Sequence, residues 1–324
     1  MNISTTLSFK DHFGAVKARW GIGRMNYTVK PGLYSIGNPN SDSLVLVSAN
    51  YKLTFDTLRK NLDGLDCWLL ILDTKGINVW CAAGKGTFGT DELIHRIEVS
   101  ELSKFVSHKR LILPQLGATG VSAHEVAGRS GYNVEYGPVR AEDIKEYINA
   151  GCSATREMRT VKFTMRDRVV LTPMELIPAV KITLPVLGAL FVTNRFTKKP
   201  FDKHDAVTYV GAVLSGSVVT PALLPYIPGK AFAWKGWLVG LGWTMKYLLW
   251  AKRFKKGIRL KTIGELLLLP AVSSYIAMNF TGASTYTSPS GVNKEMRKAL
   301  PWIVGSVAGG ALILGLHMFG KGGK

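Results

Sequence analysis

A chain of 324 residues has room for about two domains at the usual ~100–200 residues each, and its formal charge of +19 is divided unevenly. Residues 1–150 carry 17 Lys+Arg against 15 Asp+Glu, and the rest carries 24 against 7. A basic half points to nucleic acid or to an anionic membrane surface, and long apolar runs decide for the membrane and against nucleic acid. The three cysteines, Cys67, Cys81 and Cys152, show no C-x-x-C spacing, which excludes a zinc or iron–sulfur site built on such pairs.

Met1 to Lys30 lacks the apolar core of a cleavable signal peptide, so the first half is expected on the cytoplasmic side, where thiols stay reduced. The chain divides into an N-terminal segment 1–37, a soluble domain 38–150, a basic linker 151–168 and an apolar domain 169–324. In the soluble domain Leu44–Val47 reads as a buried strand and Phe55–Leu62 as a helix. Cys67–Leu72 is a second strand, in which Cys67 suits core packing. Thr90 can cap a helix running to Val99, with Asp91 and Glu92 in its first turn. Arg110–Leu113 is a third strand, Ser122–Gly128 a helix ended near Gly131, Asn133–Tyr136 a fourth strand and Ala141–Asn149 a helix. Strands alternating with helices predict a mainly parallel, doubly wound, Rossmann-like α/β sheet.

From Val169 five apolar segments approach the ~20 residues needed to cross a bilayer: Val169–Val192, Ala206–Tyr226, Ala231–Ala251, Thr262–Thr281 and Ala299–Phe319. Basic clusters lie between them, Arg195, Lys198, Lys199 and Lys203, then Lys252, Arg253, Lys255, Lys256, Arg259 and Lys261. Trp234, Trp237, Trp243, Tyr247 and Trp250 suit interfacial belts. This half is expected to be an all-α multi-span membrane domain in the cytoplasmic membrane. If every segment spans, both clusters face outward; if Val169–Val192 is re-entrant or interfacial, both lie inside with the C-terminal lysines. That segment carries Glu175, Lys181 and three prolines, Pro173, Pro178 and Pro185, so the expected number of full spans is four or five.

Doubly wound sheets bind ligands beyond the carboxyl ends of their strands. The loops expected there are Ser48 to Lys52, Gly76 to Gly86, Pro114 to Gly120 and Tyr136 to Arg140. The second is the most informative: it sets Cys81 among small residues that let a flat ligand approach the backbone. Gly84-Lys85-Gly86-Thr87 and Gly117-Ala118-Thr119-Gly120 complete neither phosphate-binding consensus. His95 and His124 have no spacing that pairs them with Cys81 as a nucleophile. Lys85 either favours the thiolate or faces solvent, and Trp80 either shields the thiol or packs in the core.

The run NVWCAAGK (Asn78 to Lys85), with LILPQLGATGVSAHEV (Leu111 to Val126) and YGPVR (Tyr136 to Arg140), resembles the HgcA family of mercury-methylation corrinoid proteins. The segment from Asn38 to Asn149 is also similar to the corrinoid-binding domain of the large subunit of the corrinoid iron–sulfur protein. The resemblance implies a cobalamin-type corrinoid with its own base displaced. Cys81, on a short cap helix, is then the lower axial ligand of the cobalt and the catalytic residue. It further implies a cofactor site of Asn78, Val79, Trp80, Cys81, Ala82, Ala83, Gly84 and Lys85. Ser48 and Asn50 are expected near the methyl face; Gln115, Leu116 and Gly117, with Gly137, Pro138 and Val139, are expected at the corrin edge or its nucleotide tail. The corrinoid signature D-x-H-x-x-G is missing around His124, which reads as a helix-surface or capping residue.

A thiolate is soft, anionic and electron-donating, and its donation to cobalt should favour departure of the opposite methyl as a carbanion equivalent, with Hg(II) as acceptor. With no cluster motif in the chain, the resemblance implies a ferredoxin-like 4Fe-4S protein, HgcB, as reductant. It also implies a methyl donor of the methyl-tetrahydrofolate pathway. Two alternatives stand beside this reading: a corrinoid methyl carrier with another acceptor, and a membrane transporter or sensor with a soluble ligand domain, suggested by Glu175, Lys181 and Glu265.

Overall fold

The buried apolar runs of the first half pair into one sheet in a computed structural model, which describes residues 1–197, 203–253 and 259–319. The chain divides into two units, Met1–Lys162 and Phe163–Lys324.

In the first unit the strands are β1 (Gly32–Ile36), β2 (Val45–Ala49), β3 (Cys67–Leu72), β4 (Arg110–Leu113) and β5 (Asn133–Tyr136), in the spatial order β1-β3-β2-β4-β5. β2, β3, β4 and β5 run parallel; β1 lies antiparallel on β3, with Gly32 opposite Ile71 and Ile36 opposite Cys67. The helices are α1 (Phe9–Arg19), α2 (Lys52–Lys60), α3 (Val79–Lys85), α4 (Thr90–Val99), α5 (Ala123–Ser130) and α6 (Ile144–Asn149). Strand residues of alternate parity feed two cores. Val45, Val47, Leu70, Leu72, Leu111 and Leu113 pack with residues of α3, α4 and α5. Leu46, Leu69, Ile71 and Ile112 pack with Phe55, Leu62, Ile144 and Tyr147. Helices therefore cover both faces, as a near-continuous apolar strand such as β3 requires. Chain direction across the sheet reverses between β2 and β4, the switch point at which such folds bind ligands.

All four expected strands lie within two residues of the bounds read from sequence: Cys67–Leu72, Arg110–Leu113 and Asn133–Tyr136 agree at both ends, and Leu44–Val47 is found as Val45–Ala49. Thr90 opens α4 rather than capping it: Gly89 is the N-cap, and the Thr90 hydroxyl accepts a hydrogen bond from the Ser122 amide at 2.9 Å. Ala141–Asp143 is a 3₁₀ turn that runs into α6. The N-terminal stretch, expected only as a segment, supplies β1 and α1. Ser8 and Asp11 cap α1 reciprocally, and Asp11 then reaches α2. Its carboxylate meets Lys52 at 2.7 Å and Arg59 at 2.9 Å, while Asp56 meets the same two cations at 2.8 Å.

Burial alone would raise the Asp11 pKa; hydrogen bonds from Lys52 and Ser8 outweigh it and hold the carboxyl well below the usual carboxylate range. A carboxylate with a depressed folded pKa stabilises above its unfolded value, ~3.9, and that contribution is lost as pH falls below it toward the folded value. Asp11→Asn should therefore lower the melting temperature at pH 7, and the gap from wild type should narrow progressively as pH falls below about 4.

In the second unit α7 (Met165–Thr193) is one continuous helix through Pro173, Pro178 and Pro185, which rules out a re-entrant hairpin for that segment. At 1.5 Å per residue it is about 43 Å long. There follow α8 (Lys203–Leu214), a π-helical turn Ser215–Val219, α9 (Thr220–Leu223), α10 (Phe232–Trp250), α11 (Leu260–Asn279) and α12 (Pro289–Phe319). Among the described residues four helical stretches are long and apolar enough to cross a membrane: Met165–Thr193, Lys203–Leu223, Leu260–Ala283 and Ser290–Phe319. α10, which carries Lys235 and Lys246, is not among them. Small residues let α10 and α11 approach closely: a Cβ on Gly240 would stand 2.5 Å from that of Ser273, whose hydroxyl donates to the Gly236 carbonyl at 2.8 Å. Arg168 is buried and ties α7 to α9, its guanidinium donating to the carbonyls of Pro221 and Ala222 at 2.9 Å each. Lys198, Lys199, Lys255, Lys256 and the C-terminal lysines lie outside the described residues.

Candidate functional site

The loops after the four parallel strands are hydrogen-bonded in two pairs, and Asn50 joins those after β2 and β3. Its Oδ1 accepts from the Thr74 amide at 3.1 Å, the Thr74 hydroxyl at 2.9 Å and the Gly76 amide at 3.0 Å, and its Nδ2 donates to Asp73 at 3.2 Å. This buried side chain shapes the turn Asp73 to Gly76, in which Lys75 and Gly76 both take positive φ. A three-donor clamp leaves Asn50 a fold role as well as its place on the rim. Ser48, also expected there, is buried on β2.

The turn delivers Asn78, which caps α3: its Oδ1 accepts from the Cys81 amide at 2.9 Å. Such a cap contributes about 1 kcal/mol. α3 ends at Gly86 with φ 79°, a left-handed closure that glycine adopts without strain. The NVWCAAGK run is therefore helical from Val79 to Lys85, as its resemblance implied.

α3 has two unlike faces. Val79, Ala82 and Ala83 are buried, whereas Trp80, Cys81, Gly84 and Lys85 are exposed. The small residues split accordingly. Ala82 and Ala83 serve packing against the β4 loop: a Cβ on Gly120 would collide with the Phe88 carbonyl and stand 2.9 Å from the Ala83 Cα, and one on Gly117 would stand 2.5 Å from the Phe88 ring. Gly84 has no such demand, since a Cβ there meets nothing within 4 Å. The exposed Cys81 thiol, with Gly84 three residues on, is the part of the run left open for a ligand.

The remaining loops join from the other side of the switch point. The Gln115 amide donates to the Pro138 carbonyl at 3.5 Å and the Gly137 amide to that of Leu113 at 2.8 Å. The Val139 amide donates to the Met158 carbonyl at 2.7 Å, and Arg159 donates to the Gln115 side chain at 2.7 Å. The structure thus brings Gln115, Gly137, Pro138 and Val139 together, with Leu116 packed at the edge of the core and Gly117 buried beneath Phe88. Arg159 and Thr74 take part in these loop contacts and escaped the sequence reading, whereas Gly120 lies in the loop expected after β4. His124 is exposed at the start of α5, its Nδ1 3.0 Å from the Ser122 hydroxyl, a helix-surface position.

The thiols differ sharply. Cys67 is buried in β3, and burial, with Asp66 beside it, pushes its pKa up to about 12. Cys81 is exposed. A maleimide should modify Cys81 within minutes in the folded protein and reach Cys67 only on unfolding, a contrast that peptide mapping by mass spectrometry reads directly.

Residues 23–148 match the family model described as CdhD, CO dehydrogenase/acetyl-CoA synthase delta subunit. The acetyl-CoA decarbonylase/synthase complex subunit gamma of Methanopyrus kandleri is 32% identical over 122 residues, 37% of this chain and 26% of that protein. Its counterpart from Methanocaldococcus jannaschii is 31% identical over 127 residues, 39% and 26%. Subunit gamma 2 of Methanosarcina mazei is 37% identical over 99 residues, 29% and 21%. The chain spans about a quarter of the length of these relatives; residues 23–148, which hold the sheet and Cys81, match the family model, and the chain is similar to subunits of the acetyl-CoA decarbonylase/synthase complex.

Proposed function

We propose that this chain is a corrinoid-dependent methyltransferase anchored in the cytoplasmic membrane, and that it methylates Hg(II). The observation that carries the reading is the NVWCAAGK run, folded as a capped helix at the strand ends with Cys81 on its open face. Similarity to acetyl-CoA decarbonylase/synthase subunits supports the corrinoid, and the four long apolar helices support the anchor. The residues fit such a group: the thiol is exposed, and the space over Gly84 is clear of protein. A corrinoid held there would supply a cobalt-carried methyl group that the Cys81 thiolate disposes to leave as a carbanion equivalent toward Hg(II).

The chain's own residues do the rest. Asn78 holds the Cys81 amide and sets the pitch of α3, and the Asn50 clamp fixes the turn before it. Trp80, Gly84 and Lys85 border the thiol, while Gln115, Gly137, Pro138 and Val139 form the wall across the switch point. Residues 38–150 would be the cofactor domain and 169–324 the anchor. A 4Fe-4S ferredoxin-like protein, HgcB, would supply electrons, and a methyl-tetrahydrofolate-pathway protein the methyl group.

The test is the ultraviolet–visible spectrum of the anaerobically purified full chain loaded with cobalamin. Corrinoid bands that shift in Cys81→Ala support the reading; bands identical in both proteins would remove Cys81 from the cobalt. A different reading, transport, draws on a cavity of about 810 Å³ in the second unit, lined by Glu175, Asp205 and Glu265 among apolar side chains. All three cysteines lie in the first unit, so that cavity offers mercury no thiol. Solute flux into vesicles by protein that binds no corrinoid would favour transport instead.

A further inference from the structure

α1 presents its apolar stripe to solvent. Phe9, Phe13, Val16 and Trp20 are 85%, 55%, 52% and 43% exposed. At 100° per residue they fall within about 60° of arc. Lys10 and Lys17 flank the stripe on one side, His12 and Arg19 on the other. The Phe9 and Phe13 rings stack at 6.3 Å, and the Lys17 ammonium lies 5.8 Å from the Phe13 centroid. The opposite face is the one that packs: Ala18 is buried, and Asp11, the helix's only acid, is turned to Lys52 and Arg59. Past the helix Ile22 and Met25 continue the exposed apolar surface.

We propose that α1 is an interfacial helix that lies on an anionic lipid surface. A convex stripe of aromatic side chains with cations along both edges matches the layering of a bilayer boundary, acyl chains beneath the stripe and headgroup phosphates beside it. Its one acid is withdrawn into the protein, so nothing on the stripe repels that surface. The first unit ends at Lys162 and α7 begins at Met165, so a bilayer that holds α7 is tethered to α1 at high effective concentration. The inference rests on the reading of the second unit as membrane-spanning. It also gives the N-terminal stretch a bearing on the site. Thr28 pairs with Tyr51, the Val29 amide donates to the Asn50 carbonyl at 2.9 Å, and a Cβ on Gly76 would meet the Met25 carbonyl at 3.1 Å. A docked α1 therefore fixes how the rim beside Cys81 faces the lipid surface.

Hydrogen exchange of the full chain tests this in nanodiscs of phosphatidylcholine and in nanodiscs with added phosphatidylglycerol. Amides of residues 9–20 should exchange on the order of tenfold more slowly in the anionic discs. Lys10→Glu with Lys17→Glu, or Phe9→Ser with Phe13→Ser, should abolish the difference. Equal exchange in both lipids, with the helices of the second unit protected, would overturn the inference and leave the membrane reading intact. Failure of those helices to enter the discs would overturn the membrane reading itself. Protection that grows with protein concentration in detergent would assign the stripe to self-association, against the lipid.

Discussion

Cys81→Ala is expected to leave the fold unchanged and to reduce methylmercury formation by more than about 100-fold, beyond the ~10–100-fold lost when only the support of a metal ligand is removed. The two halves of that expectation come from separate observations. Cys81 is exposed, and its backbone amide donates to the Asn78 side chain. Alanine keeps that amide and favours the helix, so the unfolding free energy should stay within the range of a neutral surface change, ~0.5 kcal/mol. Cys67→Ala is the mirror image: it opens a small void in the buried β3, lowers stability, and leaves activity per folded molecule intact. Cys81→His separates ligation from donation, because imidazole can bind cobalt but is neutral and a weaker donor than a thiolate. Loss of activity with a corrinoid still bound would show that the anionic sulfur matters. Full activity in Cys81→Ala would end the proposal.

Much of the sheet was legible because β3, β4 and β5 are short apolar runs bounded by turn residues, and a strand buried on both faces has little freedom to be anything else. β1 was not, since Gly32-Leu33-Tyr34-Ser35-Ile36 is brief, half-buried and antiparallel, and its partner lies more than thirty residues on. α1 left a signal that went unread: Ser8 and Asp11 have capping-box spacing, but the apolar stripe faces outward and so did not mark a core helix. At the site, the identity of the residues was legible and their division of labour was not. Asn50 and Gly117 look like ligand residues in a string of letters. Only the fold shows that one clamps a turn and the other lies under the Phe88 ring. Sequence spacing likewise treats Ala82, Ala83 and Gly84 as one small-residue run, whereas helical geometry turns the first two inward and the third out.

That division predicts opposite outcomes for two glycine-to-alanine changes near the same helix. Gly120→Ala should destabilise the first unit by about 1–3 kcal/mol or more, as overpacking does. Its Cβ falls on the Phe88 carbonyl and within 2.9 Å of the Ala83 backbone, and neither is a flexible side-chain end that can swing away. Relief requires α3 to move off the β4 loop, which carries Cys81 with it and should lower methyl transfer in proportion. Gly84→Ala adds the same methyl group on the open face, where nothing lies within 4 Å. Without cofactor it should raise stability by about 0.5–1 kcal/mol, because glycine inside a helix is poorer than alanine by that amount. With cofactor the methyl occupies space a flat ligand over Cys81 would use, and one misplaced carbon in a fitted site costs about tenfold or more in affinity. Thermal melts of both variants, paired with cobalamin titrations, check this. A Gly84→Ala protein that is more stable and binds cobalamin as tightly as wild type would place the ligand elsewhere than over α3, even if Cys81 proved essential.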